Sequence, residues 1–227
     1  MTLRVSGLNA TRSGRVILHP TSLDIAPGDR IGLVGPSGSG KSTLGHALVD
    51  DLLAQGRDVA FVPQSPDEAL DPLRTMGHHW REAETALGLA HDTARQTQLF
   101  AALDITKGDL RKRPWGWSRG MQQRFVIAMA LIGRPALIVL DEPTSALDPV
   151  VAARTMDLLD EFLGGTQTAM ILITHDLGLA ARRVDTLMVM DAGHLVEIAP
   201  TAELLQRPKT RAARLLSEHK CWLTLPC

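Results

Sequence analysis

The chain has 227 residues, 44% of them hydrophobic, with 24 Lys+Arg against 25 Asp+Glu and a formal net charge of −1. That length and apolar content suffice for one sizeable core. The mixed charge argues against disorder, and the near-neutral balance offers no basic stripe for nucleic acid. The two cysteines, Cys221 and Cys227, lie in the last seven residues, so a disulfide scaffold is excluded and a reducing compartment is expected. No run approaches the roughly 20 apolar residues of a membrane span. The opening residues 1–15 lack the hydrophobic stretch of a secretory leader. Any membrane role is therefore expected to come through a partner chain.

In chain order, Leu3–Leu8 and Ser22–Ile25 alternate polar and apolar side chains, the pattern of half-solvated antiparallel strands. Arg30–Val34, Val59–Val62, Ala136–Leu140 and Ala169–Thr174 are more continuously apolar, as strands of a parallel sheet buried on both faces are. Helical periodicity runs over Ser42–Ala54, Gln122–Ile132, Val151–Leu163 and Leu177–Arg183, which gives the alternation of an α/β layered fold. From Ser65 to Trp117 no buried strand is legible, but His79–Leu87 and Thr93–Leu103 read as helices. The division predicted is a single domain over 1–227, with an α/β core of 1–64 and 118–227 and an inserted helical subdomain at 65–117. Thr186–Met190 and His194–Ile198, joined by Asp191-Ala192-Gly193, read as a hairpin, and Thr210–Glu218 as a final amphipathic helix.

Chemistry concentrates at Gly35-Pro36-Ser37-Gly38-Ser39-Gly40-Lys41-Ser42-Thr43, which fits the P-loop template between a strand and a helix. Glycines let backbone N–H groups turn inward around phosphate oxygens, and the helix N-terminus adds donors and partial positive charge. Lys41 would reach the β- and γ-phosphates, and the Ser42 hydroxyl would ligate Mg²⁺. Leu137–Leu140 then delivers Asp141 and Glu142 at a strand end, where ligands bind in open α/β sheets. Asp141 would hold Mg²⁺ and Glu142 would orient and deprotonate an attacking water. A third buried strand ends in Thr174-His175-Asp176, which places His175 to sense the γ-phosphate.

These motifs together resemble the ATP-binding subunit of ABC transporters, over essentially the whole chain. Gln64, in Phe61-Val62-Pro63-Gln64, is similar to the Q-loop. Trp117-Ser118-Arg119-Gly120-Met121 stands in the place of the LSGGQ signature. Asp141 and Glu142 resemble Walker B, Ser145-Ala146-Leu147-Asp148-Pro149 the D-loop, and His175 the switch histidine. The resemblance implies ATP and Mg²⁺ as cofactors, with catalytic roles for Glu142, His175 and Gln64. It further implies Mg²⁺ ligation by Ser42, Gln64 and Asp141, contact of Ser118, Gly120 and Met121 with a partner's nucleotide, and Asp148 at a dimer interface. The run Gln64-Ser65-Pro66-Asp67-Glu68-Ala69-Leu70-Asp71-Pro72-Leu73-Arg74-Thr75-Met76-Gly77 is similar to the dipeptide, oligopeptide and nickel importer branch. In that branch two ATPase chains pair beneath two membrane permease subunits fed by a solute-binding protein, at the cytoplasmic face of the bacterial inner membrane. An exporter ATPase and a soluble ABC ATPase of translation or DNA repair are the competing readings. The latter usually carries two cassettes or coiled-coil insertions, neither of which appears.

Departures from the family pattern carry their own expectations. Only 23 positions separate Lys41 from Gln64, which implies loss of a strand pair after the first helix. Arg119 replaces the first signature glycine, which implies a working but altered half-site and favours a paralogous partner. The chain has no Tyr, and the adenine-stacking position falls near Arg12, whose guanidinium can stack on a base with weaker affinity. His78-His79 is expected to be solvated or partner-facing, and the basic patch 107–113 a solvated face. The pair Cys221 and Cys227 falls short of the four ligands of an iron–sulfur cluster and is expected to have no function.

Overall fold

A computed structural model describes residues 1–105 and 109–218. It opens with an antiparallel hairpin of β1 (Leu3–Arg12) and β2 (Arg15–Ile25). Both strands are longer than the sequence pattern suggests. Their polar tip closes on Ser13 and Gly14, both at positive φ (50° and 75°), as a tight two-residue hairpin requires. Pro20 falls where the β1–β2 register shifts, between Leu8↔Thr21 and Ala10↔Leu18, so the ladder accommodates its missing N–H.

The main sheet has the order β4-β5-β6-β3-β7-β8, with β3 (Arg30–Val34), β4 (Val59–Val62), β5 (Leu137–Asp141), β6 (Ala169–Ile173) and β7 (Thr186–Asp191) parallel. β8 (His194–Pro200) returns antiparallel on β7. Continuous apolar runs are explained by two cores, one on each face. Leu137, Val139, Ile171 and Ile173 point to the face covered by the hairpin and by α1 (Lys41–Ala54), through its Leu44, Leu48 and Leu52. Ile138, Leu140, Met170 and Leu172 point to the opposite face, with α4 (Arg119–Ala130) and α5 (Pro149–Gly164). Alternation on a pleated strand makes each β5 and β6 side chain serve one core or the other.

Between β4 and β5 lie α2 (Met76–Ala86), α3 (Thr93–Ala102) and α4, with no strand among the described residues of 65–117. They enclose Trp80, Phe100, Trp117 and Phe125, whose rings meet edge-on at centroid separations of 5.0 Å (Trp80–Phe100) and 5.4 Å (Trp117–Phe125). Toward the C-terminus come α6 (Leu177–Ala181), α7 (Thr201–Gln206) and α8 (Arg211–Glu218). Among the described residues no helix is long and apolar enough to cross a membrane.

The strand order gathers the chemistry-bearing loops. Since β4, β5, β6 and β3 are consecutive neighbours, their C-terminal ends bring Gln64, Asp141-Glu142, His175 and Gly35 to one edge within a few strand spacings of about 4.8 Å.

Candidate nucleotide site

The loop from Gly35 to Gly40 turns tightly at the end of β3. Gly35 has φ +156°, and a Cβ there would stand 2.3 Å from the Met190 carbonyl oxygen of β7. Gly40 has φ +99° and caps α1 beside the Ile17 carbonyl. Pro36, Ser37 and Gly38 are exposed at the rim, whereas Ser39 is buried, and its carbonyl accepts from Gly193 N at 3.0 Å. Lys41 is buried and folds back into the loop: Nζ donates to the carbonyls of Gly35 (2.9 Å) and Pro36 (3.0 Å). Burial lowers its ammonium pKa, against the opposing fields of Glu142 and Asp141. A cation held on two carbonyls with two carboxylates nearby is set to exchange those carbonyls for phosphate oxygens.

Ser42 is exposed on the first turn of α1, and Thr43 follows it, half-buried. Asp141, buried at the end of β5, has its carboxyl raised above the ordinary range by burial first, with the hydrogen bond from Ser42 opposing and Glu142 reinforcing the rise. A hydroxyl beside a buried carboxylate offers the hard oxygen donors that Mg²⁺ takes.

Glu142 has φ +42°, a left-handed conformation that costs of order 1–3 kcal/mol for a residue with a Cβ. Its N–H donates to Ile173 O (2.9 Å) and its carbonyl accepts from Ser145 N (3.1 Å), and these bonds hold the strained turn. The carboxylate is consequently aimed away from the strand. Oε1 lies 3.0 Å from His175 Nδ1, and Oε2 accepts from Gln64 Nε2 at 3.4 Å. Gln64 also donates to Ser145 Oγ at 3.3 Å, a contact with no signal in the sequence pattern. The resulting cleft holds about 590 Å³ and is lined by Lys41, Ser42, Gln64, Glu142, His175 and, from β2, Ile17. Arg12 does not line it. It stands exposed at the end of β1, near the hairpin tip.

Outside this cleft, Ser118 caps α4, its hydroxyl accepting from Met121 N at 3.3 Å, and Met121 is half-buried against the helical core. Gly120 is buried because α5 is close: a Cβ there would meet Val151 Cγ1 at 2.5 Å. Arg119 pairs with Asp67 (2.6 Å) and donates to Ser65 Oγ (3.2 Å), tying the signature position to the turn immediately after Gln64. Asp148 is exposed and caps α5 through Val151 N at 3.1 Å.

His79 corrects an expectation. It is buried, with Nε2 3.1 Å from the Asp71 carbonyl, because the helix starts at Met76 and puts His79 on the same inward face as Met76 and Trp80. His78 is half-exposed beside Glu82, and no group of three potential metal ligands occurs among the described residues. Of the basic patch, 107 and 108 lie outside the described residues, as do Cys221 and Cys227; Arg111, Lys112 and Arg113 are exposed.

A family profile described as "ABC transporter" matches residues 18–145. The chain belongs to the ABC transporter family. Among curated relatives it is similar to a nickel import ATP-binding protein of Brucella abortus, 34% identical across 95% of this chain and 93% of the relative. It is also similar to a protein of the same name from Pseudomonas putida, 36% identical across 96% and 95%. The aligned stretches of 244 and 245 positions exceed 227, so these relatives carry segments that this ABC chain lacks. The fold matches the solved ATP-binding subunit of an ABC transporter (TM-score 0.75, 22% identity, 94% of this chain and 96% of that one). It also matches a dimeric post-hydrolysis ATP-binding cassette bound to ADP and Pi (TM-score 0.72, 23% identity, 88% and 99%). The chain is thus an ATP-binding ABC ATPase, and the curated relatives it matches over nearly its whole length are named for nickel import.

Proposed function

We propose that this ABC ATPase energises import of nickel, free or as a metal–metallophore complex, with di- or oligopeptide as the alternative cargo. The observation that carries the ATPase part of the reading is the convergence of Lys41, Ser42, Glu142 and His175 on one cleft, with Asp141 buried behind Ser42. The nickel reading rests on relatives that are named for nickel import and align over nearly the whole chain.

In this reading the P-loop amides and Lys41 take the triphosphate. Ser42, Asp141 and Gln64 would hold Mg²⁺, which neutralises charge on the β- and γ-phosphates when bound. Glu142 orients the attacking water and accepts its proton as the new oxygen–phosphorus bond forms and the β–γ bridging bond breaks. His175 fixes the Glu142 carboxylate from one side and Gln64 fixes it from the other. The γ-phosphate is then half enclosed, and a second ATPase subunit, a paralogue or a second copy, completes the shell with its own Ser118-type cap and signature helix. Asp148, exposed at the start of α5, belongs to that interface. The helical segment 65–117 moves with closure, and Gln64 passes the displacement to two permease subunits at the cytoplasmic face of the inner membrane, which a solute-binding protein supplies.

Uptake by a strain lacking this chain separates the cargoes. Labelled nickel uptake is expected to fall while labelled dipeptide uptake persists. Loss of dipeptide uptake with nickel unaffected would reassign the cargo, and loss of neither would overturn the transport reading.

A further inference from the structure

A large cavity lies at the other end of the sheet from the nucleotide cleft. The segments leading into β3, β4, β5 and β6, together with α3 and α5, ring a space of about 840 Å³. Five-residue strands separate it from the P-loop by about 17 Å. Its volume is within the range of cavities that take drug-sized ligands.

Three arginines line it, Arg57, Arg95 and Arg134, against one carboxylate, Asp58. Among the described residues none of the three makes an ion pair within 4.0 Å. Arg95 is fixed without a carboxylate: Nη2 donates to Leu131 O (2.6 Å), Nη1 to Gln98 Oε1 (2.9 Å), and the guanidinium stands 5.6 Å over the Phe162 ring. Arg57 donates to Met1 Sδ (3.4 Å), a weak acceptor. Among the described residues the Nε atoms of Arg57 and Arg95 are buried with no partner. Burial first, and then the nearby Arg134, disfavour the Arg95 cation, with Asp92 opposing them. Arg95 and Arg134 stand in each other's field with no carboxylate within 4.0 Å of either among the described residues, a cost that an anion between them lowers.

The walls define the ligand's chemistry. Three guanidiniums against the single carboxylate of Asp58 leave the lining net positive, which suits a phosphomonoester dianion, and guanidinium forks match its oxygens. Leu3, Ile25 and Phe162 supply apolar surface beside them. We propose that this cavity binds a small organic phosphate, its phosphate on Arg57, Arg95 and Arg134 and its apolar part on that wall, as a ligand site separate from the nucleotide cleft.

Calorimetry with 1-naphthyl phosphate, on the full chain saturated with MgADP to fill the P-loop, tests it. One site per chain is expected, weakened about tenfold or more in the Arg57→Gln/Arg134→Gln double variant, whose melting midpoint and MgADP affinity match the parent. If that variant melts lower, Arg134→Gln alone, at an exposed position, is read and is expected to weaken binding about threefold or more. No heat from the saturated chain, or an affinity indifferent to these substitutions, overturns the site. Equal or tighter binding of 1-naphthoate overturns the assignment to phosphate.

Discussion

Gly120→Ala tests whether the signature helix is fixed by packing against α5. The Cβ that Ala brings would sit 2.5 Å from Val151 Cγ1. Valine on a helix has one strongly preferred χ1, so the methyl cannot swing aside cheaply. Overpacking of this kind costs about 1–3 kcal/mol. Replacing a helical glycine returns about 1 kcal/mol of propensity, and Gly120 has no positive φ to forbid alanine. The net expectation is a loss of about 0–2 kcal/mol, and each kcal/mol moves the melting midpoint of a chain this long by about 2–4 °C. Differential scanning calorimetry on Gly120→Ala, Val151→Ala and the double variant measures the coupling, which is expected to be favourable and about 1 kcal/mol or more. A coupling near zero, with Gly120→Ala as stable as the parent, would refute the steric reasoning. Measuring ATP hydrolysis in the double variant separates the roles further: restored stability with lost hydrolysis leaves Gly120 a contact to the partner's nucleotide.

Gly35→Ala places a methyl 2.3 Å from a backbone oxygen that cannot rotate away, so a drop of about 10 °C or insolubility on expression is expected, checked by melting and solubility. Asp141→Asn should raise the melting midpoint of the nucleotide-free chain at pH 7 while abolishing hydrolysis. The native Asp141 carboxyl holds its proton more tightly than the unfolded one, so stability is full below the ordinary carboxylate value of about 4 and falls as pH rises to the folded value. The asparagine removes that fall, and a lower midpoint than the parent at pH 7 would count against it. Arg119→Gly should cost no more than about 1–2 kcal/mol, since its pair with Asp67 is solvent-exposed and helix glycine adds the rest. The parent's advantage over it should shrink in 1 M salt, and a salt-independent gap would deny the ion pair a role.

The sheet and the P-loop are legible in the sequence because their signals are local. Buried parallel strands read as apolar runs, and loop glycines stand next to the lysine they serve. Boundaries are harder to place where short-range signals are weak. The β1–β2 hairpin extends through Asn9–Thr21 past a polar tip and a proline, and α7 is a six-residue turn between Pro200 and Pro208. Periodicity starts the helix of His79 three residues late, which hides that this histidine shares the face of Met76 and Trp80. Glu84, buried where it accepts from Trp80 Nε1 at 2.8 Å and meets His91 at 3.0 Å, has no sequence signature at all. The long-range contacts are invisible for a physical reason: Gln64 and Ser145, 81 positions apart, meet because β4 and β5 are neighbours, and Arg119 and Asp67, 52 apart, because α4 packs on the turn after β4.

The sharpest test uses Glu142→Gln, which keeps the triphosphate cradle and removes the base. Light scattering with added MgATP, alongside steady-state hydrolysis, is predicted to show tight nucleotide binding, a persistent dimer with its ATPase partner, and turnover slowed by a factor on the order of 10²–10⁴. Parent-level turnover in that variant, or no nucleotide-driven association with the partner present, would contradict the assignment of Glu142 and the shared-site mechanism together.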